Sequence, residues 1–182
     1  MALTKLSITW NCKQIAKMHK KGTFKYDHLY QRGLDWEQSR KSNLIHSLIE
    51  GYPVPPFYAN RTDDRVYDFL DGKQRMNAIC GFINNEYYLI DMPEITYTKD
   101  DDTEETICLD GMYFNDLPEE IKETINDYTL TIYYYEGITL EQIRTLFTKL
   151  NNGKPLSTKE RNIANCVDIV TVSEIGEHDL FK

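Results

Sequence analysis

The sequence predicts an α+β fold, because strand-like and helix-like stretches follow one another along a chain of 182 residues. The clearest sign is the apolar run 66–70, which ends in Asp71-Gly72 and opens directly into a segment with helical spacing. A second sign is a pair of extended runs, 57–59 and 65–70, which a Thr-Asp-Asp turn signal separates and which predict a hairpin. This length suffices for one domain with a full core, so we expect a single domain over the whole chain.

The N-terminal half supplies the other elements that precede the Asp-Gly corner. Residues 11–21 have apolar positions at helical spacing and are followed by Gly22, which is a helix stop. Residues 23–29 are predicted to be extended and to lead into a turn. Helix 37–50 carries an apolar stripe and ends before a glycine. The helix that follows the corner is predicted to end near Asn84.

The C-terminal half predicts further strands and helices. Strands are predicted at 86–90, 106–109 and 128–135, and helices at 116–125 and 140–150. The acidic stretch 100–105 lacks the glycine and the spacing of a calcium loop, which favours a solvated loop over a cation site. Ser157 and Glu160 form a capping box that predicts a last helix, a C-terminal helical extension of the domain. Residues 166–182 are expected to begin a further segment.

Composition narrows the class of protein. A content of 41% hydrophobic and 27% charged residues is typical of a soluble globular protein. No apolar run approaches the roughly 18 residues of a membrane helix, and the N-terminus lacks the apolar core of a signal peptide. We therefore expect a cytoplasmic protein with no membrane partner. Four scattered cysteines without a CxxC pair favour buried reduced thiols over a disulfide scaffold, and the four histidines form no zinc pattern.

The net charge of −8 hides an uneven distribution. Residues 1–50 carry nine Lys/Arg against four Asp/Glu, a net of +5, whereas residues 91–127 carry two against thirteen, a net of −11. An acidic protein binds nucleic acid poorly without a local basic patch. Lysines of the first predicted helix could form such a patch or a solvated helix face. They are Lys13, Lys17, Lys20 and Lys21.

The Asp-Gly corner is the strongest candidate site. A helix N-terminus presents free backbone N–H groups and the positive end of the helix dipole, so it stabilises an anion. Lys73 and Arg75 add cationic donors suited to phosphate oxygens, and Asp71 could hold a metal ion or a sugar hydroxyl. The alternative is an aspartate that caps a helix beside surface cations.

Two further segments have polar residues at turns. In Tyr30–Trp36, Gln31 and Arg32 stand beside aromatic residues and could read a nucleotide, or the segment could be a packed turn. In Phe147–Ser157, asparagines and a glycine suit a tight turn between helices. Each segment is weak by itself, and the order of all three carries the specificity.

With these motifs the chain resembles the ParB-like domain at the N-terminus of GmrSD-type restriction proteins, a bacterial and phage family. That family shows Q-R-x-x-x-W, D-G-Q-Q-R opening a helix, and F-x-x-L-N-x-G-x-P-L-S-x-x-E. The chain matches with Gln31-Arg32 and Trp36, with the stretch 71–75, and with the stretch 147–160. The match runs over about residues 10–165. Lys73 departs from the usual glutamine but keeps a donor and adds charge.

The resemblance implies a small mixed sheet with flanking helices, similar to ParB and sulfiredoxin, and a nucleotide as ligand. The implied catalytic residues are Asp71, Gln74 and Arg75, with Asp71 holding Mg²⁺. The implied nucleotide-binding residues are Gln31, Arg32, Gly72, Lys73, Gln74, Arg75 and Asn151. Glu160 is implied either to support the pocket or to stabilise the last helices. Sulfiredoxin chemistry is set aside, because it needs a cysteine at the phosphate turn and Cys80 lies beyond it.

Two functions from different classes follow. The first is a Mg²⁺-dependent nucleoside triphosphatase that controls DNA restriction or phage defence, in partnership with a nuclease domain or subunit. The second is a module that senses a nucleotide or DNA without turnover. A vestigial site in a protein-interaction domain is the third alternative. DNA and a second copy of the chain are further expected partners.

Overall fold

The structure is a computed structural model that describes residues 3–26, 35–62 and 65–151, with only the backbone of Asn151. Its strands are β1 (Leu6–Asn11), β2 (Phe24–Lys25), β3 (Phe57–Arg61), β4 (Tyr67–Asp71), β5 (Glu94–Thr98), β6 (Glu104–Cys108) and β7 (Thr129–Glu136). Its α-helices are α1 (Cys12–Lys20), α2 (Gln38–Ile49), α3 (Lys73–Ile83), α4 (Glu119–Asp127) and α5 (Leu140–Asn151). A single 3₁₀ turn, Phe114–Asp116, precedes α4. The predicted α+β class is confirmed.

The main sheet has five strands in the order β1-β7-β3-β4-β2. It is mixed, because β7 runs parallel to β3 and β2 runs parallel to β4, whereas the pairs β1–β7 and β3–β4 are antiparallel. The predicted hairpin is thus the pair β3–β4. Strands β5 and β6 form a separate antiparallel hairpin. The hairpin β3–β4 brings the start of β3 beside the end of β4, where Tyr58 stands opposite Asp71.

Helices cover both faces of the sheet. Side chains of a strand alternate between faces, and Phe57, Ala59 and Phe69 enter the main core together with residues of α1 to α4. Leu70 is 1% exposed and points to the opposite face, where α5 contacts β4. Ile143 and Phe147 of α5 are buried. The strand that ends in Asp71 is therefore held from both sides.

Some predicted strands differ from the structure. Residues 86–90 form no strand, because their backbone groups make single hydrogen bonds to other elements and not a ladder with another strand. The Ile90 N–H donates to Ser42 Oγ at 3.0 Å, and the Tyr88 carbonyl accepts from Gln38 Nε2 at 2.7 Å. β6 pairs with β5, a strand that was not predicted, and it includes two acidic residues, Glu104 and Glu105, that were predicted to be loop. β1 was not predicted, and the extended stretch 23–29 contains only β2 within the described residues.

The cysteines separate into two environments. Cys12 and Cys80 are buried free thiols, as predicted. Cys108 is exposed, so the prediction of burial is wrong there, because the last residue of β6 faces outward. Cys166, Ser157 and Glu160 lie outside the described residues.

Candidate nucleotide site

The corner between β4 and α3 depends on glycine at position 72. Gly72 has a φ of +100°, in the left-handed region that side chains disfavour. A Cβ built there would lie 2.3 Å from Cδ1 of the Phe57 ring, far inside van der Waals contact. The chain can therefore pass from strand to helix against β3 only with glycine at this position. Asp71 and Lys73 are held on the two sides of the turn.

The first turn of α3 begins at a glycine N-cap. Gly72 is the N-cap residue and provides no side-chain acceptor, and the first helical bond runs from the Met76 N–H to the Gly72 carbonyl at 2.8 Å. The N-cap residue therefore offers no side chain to the N–H groups of the first turn, and a helix N-terminus of this kind can bind an anion. Lys73 is partly exposed at the first helical position, and its ammonium forms no ion pair within the part of the chain that the structure describes.

Arg75 is held by the protein itself. Its guanidinium pairs with Asp71 Oδ2 at 2.7 Å, donates to the Pro55 and Pro56 carbonyls, and lies 4.6 Å over the Phe57 ring. The side chain is only 13% exposed. Burial lowers the pKa of Arg75, and the charge of Asp71 partly offsets that shift. Arg75 therefore ties the proline-rich start of β3 to the corner, a role that the sequence did not indicate.

Asp71 is the carboxylate available to a cation at this corner. One oxygen pairs with Arg75, and the side chain is 41% exposed. Among the described residues no group of three or more His, Cys, Asp or Glu side chains converges to hold a metal. Proteins commonly hold Mg²⁺ with one or two carboxylates together with phosphates of the substrate. The partly exposed carboxylate of Asp71 thus fits a Mg²⁺ ion that arrives with a nucleotide.

Gln74 connects two of the three sequence motifs. Its Oε1 accepts a hydrogen bond from the Trp36 N–H at 3.3 Å, and the Arg40 guanidinium lies 4.1 Å over the Trp36 indole. The end of the Gln-Arg-x-x-x-Trp motif is therefore held at the corner. Gln31 and Arg32 themselves lie outside the described residues.

The third motif begins on the helix that packs behind the same strand. Phe147 is 7% exposed on α5, which contacts β4. Asn151 is the last residue of α5, and its predicted side-chain contact lies outside the described part, as do residues 152–160.

The predicted nucleic-acid residues lie on one side of α1. Lys13, Lys17, Lys20 and Lys21 are exposed, whereas Ile15 of the same helix is fully buried against the core. Helix α1 contacts α3 and α4. The arrangement suits either a basic patch or a solvated helix face, and DNA binding stays a prediction.

Fold and corner together define an α+β domain built around a strand-glycine-helix turn. The model of the family described as "GmrSD restriction endonuclease, N-terminal domain" matches residues 12–165, and the chain belongs to this family. No curated protein matches the chain. A solved structure titled as a Pnob8-like ParB-N domain is similar, with 14% identity and a TM-score of 0.40, over 90% of this chain. The aligned part is 44% of that solved chain.

No helix among the described residues is both long enough and apolar enough to cross a bilayer.

Proposed function

We propose that the chain binds a nucleoside triphosphate at the start of α3 and hydrolyses it with Mg²⁺, in a system of DNA restriction or phage defence. One observation carries the proposal. The first turn of α3, whose N-cap residue is Gly72, stands beside Lys73 and Asp71, at a turn that admits only glycine. Phosphoryl transfer requires mainly positioning and neutralisation of charge, and this corner offers backbone donors, a cation and a carboxylate.

Each residue of the corner has a part in this function. The N-terminal end of α3 and the Lys73 ammonium bind phosphate oxygens. Asp71 would hold Mg²⁺, and the ion would neutralise charge on the phosphate oxygens. Gln74 orients the attacking water or holds the backbone of Trp36. Arg75 keeps Asp71 and the start of β3 in place, so its contribution to turnover is indirect. Gln31, Arg32 and Asn151 complete the pocket around the nucleotide.

The second candidate function is nucleotide sensing without turnover. The observation that favours it is the engagement of Arg75, whose guanidinium is bound to Asp71 and to backbone carbonyls. A guanidinium that already donates to these partners is poorly placed to stabilise the charge that develops in a phosphoryl transition state. In this function the nucleotide changes the conformation or the partners of the domain, and a nuclease domain or subunit performs the DNA cleavage.

The test measures binding and turnover together. Phosphate release from ATP, GTP, CTP and UTP with Mg²⁺ is measured with and without DNA, beside calorimetric binding of each nucleotide. Lys73→Ala removes one charge-assisted contact, so we expect roughly a 10- to 100-fold loss of nucleotide affinity. Lys17→Ala is the matched control, because it removes the same charge from the exposed side of α1.

The outcomes separate the candidates. Turnover that Lys73→Ala lowers and Lys17→Ala leaves unchanged supports the triphosphatase. Nucleotide binding with the same pattern but without phosphate release supports the sensor. Equal affinity in Lys73→Ala and in the wild type would overturn the placement of the phosphates at α3. A loss of DNA affinity confined to Lys17→Ala, steep in salt, would support DNA binding by α1.

A further inference from the structure

A cleft of about 380 Å³ lies beside β5, away from the corner of α3. The strand itself forms one wall, from Ile95 to Thr98, and the end of α2 and the first turns of α4 form the other. Ile95 and Ile121 are almost fully buried, so the surface that the cleft offers is mainly polar. The cleft is therefore a groove along a strand, lined largely by polar groups.

The edge of β5 in this cleft has free backbone groups. β5 pairs only with β6 within the described residues. The Lys99 N–H donates to the Thr103 carbonyl at 2.8 Å, which makes these residues a bonded pair next to the hairpin turn. Bonded and non-bonded pairs alternate along an antiparallel ladder, so the backbone groups of Thr96 and Thr98 point away from β6. They face the cleft as an unpaired strand edge.

The rim of the cleft is negatively charged. Glu50 and Glu120 line it, and neither carboxylate has a cationic partner among the described residues. Glu50 also caps the C-terminal end of α2, where the helix dipole is negative and a carboxylate is unfavourable. The two carboxylates and the C-terminal end of the α2 dipole add negative potential to the rim of the cleft. The surrounding stretch 91–127 has a net charge of −11. A carboxylate at the C-terminal end of a helix destabilises the helix slightly, and a bound cation would offset this unfavourable interaction.

We propose that this cleft binds an extended segment of a partner protein in which lysine or arginine recurs at every second position. The segment adds as a third strand to the edge of β5. Its backbone pairs with Thr96 and Thr98, and its cations meet Glu50 and Glu120. The period of two in a strand places side chains two residues apart on the same side of the segment, so all of these cations point toward the wall that carries the two glutamates.

The experiment uses a capped synthetic peptide of alternating Lys and Val, titrated into the isotopically labelled full chain and followed by NMR. We expect saturable shifts at the amides of Thr96 and Thr98. The double variant Glu50→Gln, Glu120→Gln should weaken binding on the order of 10-fold at low salt, because it removes both rim charges. A peptide methylated at alternate backbone nitrogens should not bind, since it cannot pair with the strand.

Two matched variants test the edge itself. Thr96→Pro removes an outward N–H without loss of a ladder bond, and Thr106→Pro makes the same change at its cross-strand partner on the other edge of the hairpin. Thermal melting establishes that both variants are folded. Binding lost in Thr96→Pro and kept in Thr106→Pro supports the proposal. No shift at millimolar peptide, equal binding by the methylated peptide, or a dimer of the chain that Thr96→Pro dissociates would overturn it.

Discussion

Replacement of Gly72 by alanine tests the geometry of the corner directly. The φ of +100° is in a region that side chains rarely adopt, and left-handed backbone costs about 1–2 kcal/mol for an L-residue. The added Cβ would also lie 2.3 Å from the Phe57 ring, and overpacking of a buried site costs about 1–3 kcal/mol. Together these effects lower the free energy of unfolding by about 2–5 kcal/mol, a large share of the 5–15 kcal/mol of a typical domain.

The matched control is Gly51→Ala. Gly51 has a φ of +73°, but a Cβ there would meet nothing within 4 Å. This variant should lose only the backbone contribution, about 1–2 kcal/mol. Urea unfolding followed by circular dichroism gives both values, and an unchanged m-value confirms that the denatured state is the same.

A third variant isolates the ring. In a Phe57→Leu background the overlap with the new methyl group is relieved, so Gly72→Ala should cost less than in the wild type. Equal losses for Gly72→Ala and Gly51→Ala would refute the close approach of Phe57 to the turn. An unchanged cost in the Phe57→Leu background would do the same.

Two further predictions concern buried polar groups. Arg75→Lys keeps the charge but lacks the planar fork that reaches both carbonyls and Asp71, so it should lower the free energy of unfolding by about 1–3 kcal/mol; a wild-type value in urea unfolding would contradict this role. Burial raises the pKa of the Cys12 and Cys80 thiols to about 12 from 9.0. Because the unfolded chain loses these protons first, stability should hold below pH 9 and fall between pH 9 and 12, by up to about 1.4 kcal/mol per pH unit for each thiol. A Cys12→Ala, Cys80→Ala variant with an equally steep decline in alkaline melting curves would exclude the thiols as its cause.

The family resemblance was carried by sequence motifs, and it is confirmed over nearly the range expected. The helices with apolar stripes were predicted within a few residues, because helical periodicity and glycine stops are local signals. The hairpin β3–β4 was equally visible, since its strands adjoin a short turn. The nucleotide site at α3 stays a proposal that the geometry of Gly72 and Lys73 supports.

The elements that sequence reasoning missed depend on distant partners. β1 is a strand because β7, more than a hundred residues later, pairs with it. Residues 86–90 are not a strand, because Ser42 and Gln38 of α2 take up their backbone groups. Local pattern contains no information on either partner.

By itself the sequence determined the helices, the hairpin, the family and the position of a glycine turn that opens a helix beside charged residues. Only the tertiary structure decided which groups those charged residues contact. Arg75 stays a predicted phosphate ligand, and the hairpin brings the Pro55 and Pro56 carbonyls and the Phe57 ring to its guanidinium. A side chain of such length bonds to whichever groups the fold places within reach. These contacts therefore follow from strand pairing and packing and could not be read from the place of Arg75 in a motif.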